Sequence, residues 1–449
     1  VPDALARSQA ALLRLGVFRS VSLRLQEPET PLETKDLLVE LVERPYATLT
    51  QSGGFSLAEG PRAEIEYTRP NVLGRAIELT LRGKVNYPIN IFDLRPDLVG
   101  KPPQQRFEGR ADTGLRWARV ELLPFAAGGR SDLVGEVLHR RAYDLKRGAG
   151  VLGIDVGLSS RIAFALQYDL EVDDIRHSGV QTVITQADLE RLRFDEGVTT
   201  LHSLRPTVTF DYRDNSAHPH RGWFASGSAT WAHSLGDAST PGGSPSKVLG
   251  FLPGSQYHTN LVKLWGTLSG YLPVGDATVL ALSLRGGRVF PLDPESRTIV
   301  PMRFFLGGAS TMRGYADEEM IQQDVRPILA AQARQCATSL TGIGCTEKGQ
   351  QIASGQIPVS EGGEAFILWK AELRVAITRA LEIGLFADLG NLWLDPTKLQ
   401  PFDVRVNAGF GLRFVTPIGP AALDFGWNVQ PDTRINERSF APNFAIGLF

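Results

Sequence analysis

Between Arg405 and Val429 the chain alternates apolar and polar residues with a period of two, and it does so twice. Val406, Ala408, Phe410, Leu412 and Phe414 are followed on a return segment by Ala421, Leu423, Phe425, Trp427 and Val429. The residues between them are Arg405, Asn407, Gly409, Gly411 and Arg413, then Ala422, Asp424, Gly426 and Asn428. Successive side chains of a strand point to opposite faces, so this is a hairpin with one oily face and one charged, polar or bare face. A soluble sandwich and a transmembrane barrel both satisfy that pattern. Strand length and strand number separate them.

The same rhythm recurs in long runs. Ile162, Phe164, Leu166, Tyr168, Leu170 and Val172 alternate with Arg161, Gln167, Asp169 and Glu171, and Leu204, Val208, Phe210 and Tyr212 alternate with Arg205, Thr207, Thr209 and Asp211. Trp223, Ala225, Ala229 and Trp231 continue after a turn. Ile367 to Ile377 and Leu381 to Leu389 repeat the pattern around Lys370, Glu372, Arg374, Glu382 and Asp388. Soluble strands average roughly 5 to 6 residues, whereas a tilted strand crossing a bilayer needs about 9 to 11. With weaker runs near 46–57, 61–70, 75–86, 111–123, 131–145, 149–158, 257–271, 277–289 and 439–449, the reading is an all-β transmembrane barrel. It has about sixteen antiparallel strands, an even number as bacterial barrels have.

Composition is consistent with this and narrows function. The 47 basic and 49 acidic residues nearly cancel, which removes the electrostatic case for nucleic acid. A mean hydropathy of −0.09 and the lack of any run of 18 apolar residues argue against a membrane helix, while a barrel spreads its oily residues by alternation. No phosphate loop and no G-x-S-x-G elbow is present, so the chain is not read as an enzyme, and no cofactor or metal is expected. Residues 1–45 are a different object. Ala4, Leu5, Ala11, Leu12 and Leu15 recur at helical spacing up to Gly16, and Val17–Leu25 and Leu37–Val42 read as two strands. So small an α+β piece cannot hold a sizeable core alone, and further segments upstream of Val1 are expected.

Several motifs, in order along the chain, resemble one family. Leu15-Gly16-Val17-Phe18-Arg19-Ser20-Val21 with Val39-Glu40-Leu41-Val42-Glu43-Arg44-Pro45 is similar to the last POTRA module of the BamA and TamA outer-membrane assembly factors. Asn71-Val72-Leu73-Gly74-Arg75 resembles the periplasmic turn after the second barrel strand. Leu306-Gly307-Gly308-Ala309-Ser310-Thr311-Met312-Arg313-Gly314-Tyr315 resembles the arginine-glycine-aromatic motif of the sixth extracellular loop. Phe386 to Trp393 and Thr416 to Pro420 resemble family motifs near the C-terminus. The resemblance implies a partial POTRA module at 1–45 in the periplasm and a barrel at 46–449 in the bacterial outer membrane. It also implies ATP-independent insertion of unfolded β-barrel proteins, with periplasmic chaperones or accessory subunits as further partners.

The residues themselves say what such a loop can do. A connection at about 290–365 is far longer than the roughly 12 to 15 residues usual for a structureless loop, so it is expected to fold inward or build structure of its own. Gly307, Gly308 and Gly314 permit a tight reversal presenting Met312, Arg313 and Tyr315 at a tip. Glu372 and Asp388 fall on the polar parity of nearby strands. Arg313 is therefore expected to reach into the lumen and pair with Asp388, Glu372 or both, because a guanidinium forks two carboxylate bonds where lysine cannot. The family resemblance implies the same contact; the alternative is an arginine solvated on a surface turn. Cys336 and Cys345, the only cysteines, close a short segment of that connection, and a disulfide is favoured over a metal site, with two free thiols as the alternative.

Asp211-Tyr212-Arg213-Asp214-Asn215, with His218 and His220 nearby, invites a catalytic reading, but these are turn residues between strands. The mechanism is expected at a seam. The first barrel strand is polar and glycine-rich at Ser52, Gly53 and Gly54, so its register with the last strand, carrying Phe444, Ile446, Gly447 and Phe449, is weakly specified. An opened seam exposes backbone groups that an incoming strand can satisfy, and a short apolar belt there thins the lipid, an idea taken from analogy. Phe449 has the wrong parity for the family's terminal aromatic, which points to residues missing at the end or a seam built differently. Two alternatives stay open: a two-partner-secretion transporter exporting one passenger, and a barrel anchoring a fused upstream enzyme such as a patatin-type lipase.

Overall fold

The computed structural model describes residues 2–26, 34–120, 127–177, 196–237, 246–338, 345–378, 380–416 and 419–447. The chain begins with helix α1 (Pro2–Arg14), which ends at Gly16 with φ +73°, and continues into β1 (Phe18–Leu25) and β2 (Leu37–Glu43). The two strands pair antiparallel, and Gln9 on the helix donates to the Val21 carbonyl at 2.7 Å.

Sixteen further strands form one closed antiparallel barrel in which each pairs with the next and the last returns to the first. They open with β3 (Thr48–Ser56), β4 (Gly60–Val72), β5 (Ile77–Asn86), β6 (Glu108–Trp117), β7 (Gly128–His139) and β8 (Tyr143–Gly157). The next five are β9 (Ile162–His177), β10 (Gly197–Asp211), β11 (Gly222–Ser234), β12 (Asn260–Gly275) and β13 (Thr278–Pro291). The ring is completed by β14 (Ala365–Ala376), β15 (Leu381–Trp393), β16 (Arg405–Thr416), β17 (Gly419–Asn428) and β18 (Phe440–Gly447). Full closure removes the open edges that would otherwise leave backbone groups unpaired in hydrocarbon. The longest connections, β5–β6, β9–β10, β11–β12 and β13–β14, share one end of the barrel, and no connection at the other, the end where β2 feeds into β3, exceeds ten residues.

The alternating pattern resolves with the oily face outward. Phe410, Phe414 and Trp427 are exposed on the outer wall, and Phe410 packs beside Phe425 with ring centroids 5.1 Å apart. Their neighbours of opposite parity, Arg405, Asn407, Asp424 and Asn428, are buried inside. A core-facing apolar sheet would show the reverse.

One predicted strand divides differently. Residues 131–145 read as a single run, but the chain reverses at Arg140–Ala142, where Arg140 N–H donates to the Tyr143 carbonyl at 2.9 Å, and Tyr143 begins β8. The reversal carries no glycine, proline or asparagine. It is held by tertiary contacts: Arg141 is buried and donates to the Leu94 carbonyl of the β5–β6 loop. The run predicted at 111–123 is β6, which starts at Glu108 and stops at Trp117.

The connection between β13 and β14 both folds inward and builds structure of its own. Its first part sends Ile299, Val300 and Met302 into the barrel mouth against Leu145, Ile175, Leu201, Leu261 and Val289. Its later part forms helices α2 (Arg326–Thr338) and α3 (Glu347–Ala353), joined by a disulfide between Cys336 and Cys345. Ile321, Val325, Leu329 and Ile352 from this cap pack with Leu394 and Ile435 of neighbouring loops.

An ion pair ties the cap to the β17–β18 loop, with Arg326 Nη2 at 2.9 Å from Asp432. The Arg434 hydrogen bond and the Arg326 charge hold the Asp432 carboxyl down at about 2, below its ordinary value of 3.8. A depressed carboxylate stabilises the fold above its unfolded pKa and loses that contribution as pH falls through the folded one. Hydrogen-exchange protection of the α2 amides, corrected for intrinsic rates, is therefore expected to fall between about pH 4 and pH 2. Asp432→Asn should lower protection at pH 7 and flatten that dependence.

Candidate functional site: loop motif and barrel seam

Gly307 and Gly308, with φ +126° and +82°, turn the loop back on itself, and Tyr315 N–H donates to the Met312 carbonyl at 3.1 Å across the tip. Arg313, only 2 % exposed, points from this tip into the wall of the lumen. Its Nε and Nη2 donate to the two oxygens of Asp388 on β15 at 2.9 and 2.7 Å, and Nη1 donates to Glu372 on β14 at 2.6 Å. The Arg313 backbone N–H adds a bond to Asp388 at 3.1 Å, and the guanidinium carbon lies 3.4 Å from the centre of the Phe386 ring. Burial alone would favour a neutral group, but Asp388 and Glu372 more than reverse this and raise the Arg313 pKa above its ordinary value. A planar fork matched to one carboxylate, with a third donor for a second, is a geometry an ammonium cannot reproduce.

The rest of the motif reaches further round the wall. Tyr315 accepts from Arg405 Nη1 on β16 and from Asn428 Nδ2 on β17, both at 2.9 Å, and burial pushes its phenol up to about 12 against the pull of Arg405. Met312 is buried with Leu306, Tyr315, Met320, Phe366, Leu368 and Leu392. Gly314 serves close approach rather than reversal: a Cβ there would lie 2.7 Å from the Asn407 side chain and 2.8 Å from the Asn428 nitrogen. Gly426 faces it, and a Cβ at that position would meet the Arg313 carbonyl at 2.1 Å. That carbonyl also accepts from Asn443 Nδ2 on β18 at 3.1 Å. Sequence reasoning had placed Arg405, Asn407, Gly426 and Asn428 on the polar face, but it did not identify them, or Asn443, as partners of the loop.

Among the described residues the seam is the thinnest join in the ring. β18 meets β3 through three residue pairs, Ala445 with Ser56, Ile446 with Phe55 and Gly447 with Gly54, whereas β9 and β10 pair over fourteen. Leu57 N–H adds one bond to the Phe444 carbonyl at 3.0 Å, and the Phe55 and Phe444 rings lie 6.1 Å apart outside. Ser52 and Gly53 pair with β4 on their other side and, among the described residues, have no partner on β18. Phe449 lies outside the described residues. β3 spans nine residues and the described β18 eight, against sixteen in β9 and in β12. Above the seam, Arg438 binds Glu319 of the long loop at 3.2 Å and donates to the Asp93 carbonyl at 2.7 Å, joining the last strand's side to the first's. Leu57, Leu94, Ala316 and Ala441 pack beneath this contact.

The Asp211–Asn215 segment is a turn. Arg213 forks onto Asp211 at 2.8 Å, and Asp214 Oδ1 accepts the backbone N–H groups of Asn215, His220 and Arg221. Among the described residues no group of three or more His, Cys, Asp or Glu is arranged to hold a metal ion.

Residues 124–449 match the family model described as the Omp85 superfamily domain. No functionally curated protein matches the sequence. The fold is similar to that of BamA from Haemophilus ducreyi lacking POTRA domains 1–3, with a TM-score of 0.69 at 15 % identity over 99 % of this chain and 77 % of that one. It is also similar to CdiB from Acinetobacter baumannii, with a TM-score of 0.55 at 12 % identity over 98 % and 67 %, and to CdiB from Escherichia coli, with 0.52 at 13 % over 97 % and 68 %.

Proposed function

Because the chain belongs to the Omp85 superfamily, we propose that it is an assembly factor that folds and inserts β-barrel proteins through the join between β3 and β18. The observation that carries this reading is the seam of three pairs among the described residues, in a ring whose other joins run from seven pairs between β17 and β18 to fifteen between β8 and β9. An unsatisfied backbone group in hydrocarbon costs several kcal/mol, so opening is feasible only where few pairs must break and where a new partner is at hand. An unfolded client strand is such a partner. Pairing with the exposed edge of β3 would template the client's first hairpin, with no need for a nucleotide.

The short strands beside the seam support a second contribution. An apolar wall lower there than around β9 and β12 would draw the bilayer thinner on that side and lower the barrier to entry. Residues 1–45 fit the C-terminal part of a POTRA module standing in the periplasm, and the short-turn end where they attach is then the periplasmic end. In that setting α1, β1 and β2 would deliver clients from chaperones or accessory subunits to the edge of β3.

Reconstitution distinguishes this from passenger export. Vesicles containing the chain are expected to accelerate folding of an urea-unfolded outer-membrane barrel, read by its heat-modifiable gel mobility, by about tenfold or more over protein-free vesicles. Equal rates in the two preparations, together with transfer of a large β-helical passenger across the bilayer, would replace the reading with that of a transporter.

A further inference from the structure

On the outer wall, remote from the seam, Arg288 of β13 faces the bilayer and has no acidic partner among the described residues. Its cross-strand neighbours are Leu264 and Ala365, its Nε is buried without a hydrogen-bond partner, and its guanidinium leans over the Phe290 ring at 4.9 Å. An arginine on the lipid face of a barrel is costly at mid-plane and tolerable near a headgroup layer. Arg288 stands three residues from the long-loop end of its strand, below the level of Phe290 and Trp231.

Directly below Arg288 the wall is hollow. A groove of about 570 Å³ is walled by Leu264, Leu268, Leu284 and Ile367 and overhung at its upper end by Phe290 and Leu399. Its floor is the facing pair Gly266 and Gly286, with Gly227 next in the same row. None of the three has a positive φ, and a Cβ would meet nothing closer than 3.4 Å at Gly266 and 3.5 Å at Gly286, and nothing within 4 Å at Gly227. The backbone does not require these glycines, and β-branched residues would favour a strand there. Their effect is to keep the groove open.

We propose that this groove is a binding site for a phosphorylated lipid of the leaflet at the long-loop side, with an acyl chain lying over Gly266 and Gly286 and the phosphate on the Arg288 guanidinium. Arginine presents two parallel N–H donors to phosphate oxygens, and a basic group at headgroup depth beside an apolar slot recognises an anionic lipid rather than a free anion. The proposal rests on the barrel spanning a bilayer and not on the seam reading, since β15, β16 and β17 separate β14 from β18.

Native mass spectrometry of the full chain in detergent tests it with phosphatidic acid and diacylglycerol of the same chains. Wild type is expected to retain phosphatidic acid about tenfold better than diacylglycerol. Arg288→Gln should abolish that preference while leaving residual binding of both. Gly266→Val with Gly286→Val should lower binding of both, with heat-modifiable gel mobility confirming a closed barrel. An unchanged preference in Arg288→Gln would overturn the proposal. So would wild-type retention in the double glycine variant, or displacement of phosphatidic acid by millimolar inorganic phosphate. If the glycine variant does not fold, Arg288→Gln alone decides.

Discussion

Arg313→Ala is expected to release the long loop from the lumen and to cost the barrel more than any other single truncation of the motif. The substitution removes a buried cation and leaves Asp388, fully enclosed, and Glu372 without it. Removing one partner of a buried ion pair typically costs about 3–5 kcal/mol, because the charge left behind has no water to return to. Lys370, 3.9 Å from Asp388, is too distant to replace the forked contact. The sixteen strands keep their own ladders, so the barrel should still form, but with a lower unfolding temperature and a protease-sensitive loop. Folding of a client barrel should slow by about tenfold or more, since about 1.4 kcal/mol of lost positioning already corresponds to that factor. Arg313→Lys should recover the charge and little of the geometry. Arg313→Gln combined with Asp388→Asn should cost less than the sum of the two, the signature of a direct pair. If Arg313→Ala matched wild type in both thermal stability and client folding, the motif would have no part in the activity.

The second large effect concerns the seam. Ser56 and Ala445 are opposed across it, and directly opposed residues of antiparallel strands have Cα atoms about 4.5 to 5.5 Å apart, within the range a disulfide spans. Oxidised Ser56→Cys/Ala445→Cys protein is expected to fold client barrels no faster than protein-free vesicles, with activity returning on reduction. Two controls isolate the cause. Wild type treated with the same reductant reports any effect of opening Cys336–Cys345. A bridge between Ala165→Cys and Thr207→Cys, opposed on β9 and β10, puts an equal covalent load where no opening is proposed and should leave the rate unchanged. A fully cross-linked seam that still works at the wild-type rate would remove lateral opening from the mechanism.

What could be read from the chain follows from which contacts are local. Facing alternation on β16 and β17 is a property of consecutive residues, so the outward Phe410 and Trp427 and the inward Asn407 and Asp424 were legible without coordinates. Arg313 with Asp388 and Glu372 was legible because the glycine-flanked motif resembles a family loop that enters the lumen, and both carboxylates fall on the polar parity of nearby strands. Asn428 and Asn443 were not, because each meets the loop across more than a hundred residues of sequence. Gly426 carried a signal in retrospect: a bare residue on the inner face of a long strand implies that something comes close, without saying what. The reversal at Arg140–Ala142 had no turn chemistry to announce it, since Arg141 is held there by a carbonyl on a different loop.

The anchoring of Met312 to Tyr315 also bears on how the molecule is built. Arg313, Gly314 and Tyr315 are gripped by β14 to β18, the last five of the sixteen barrel strands along the chain. The loop that fills the cavity can therefore settle against that curved wall while the circle is still incomplete, which leaves the meeting of β18 with β3 as the closing stitch. A ring finished in that order ends its own construction at the place from which it would begin another's.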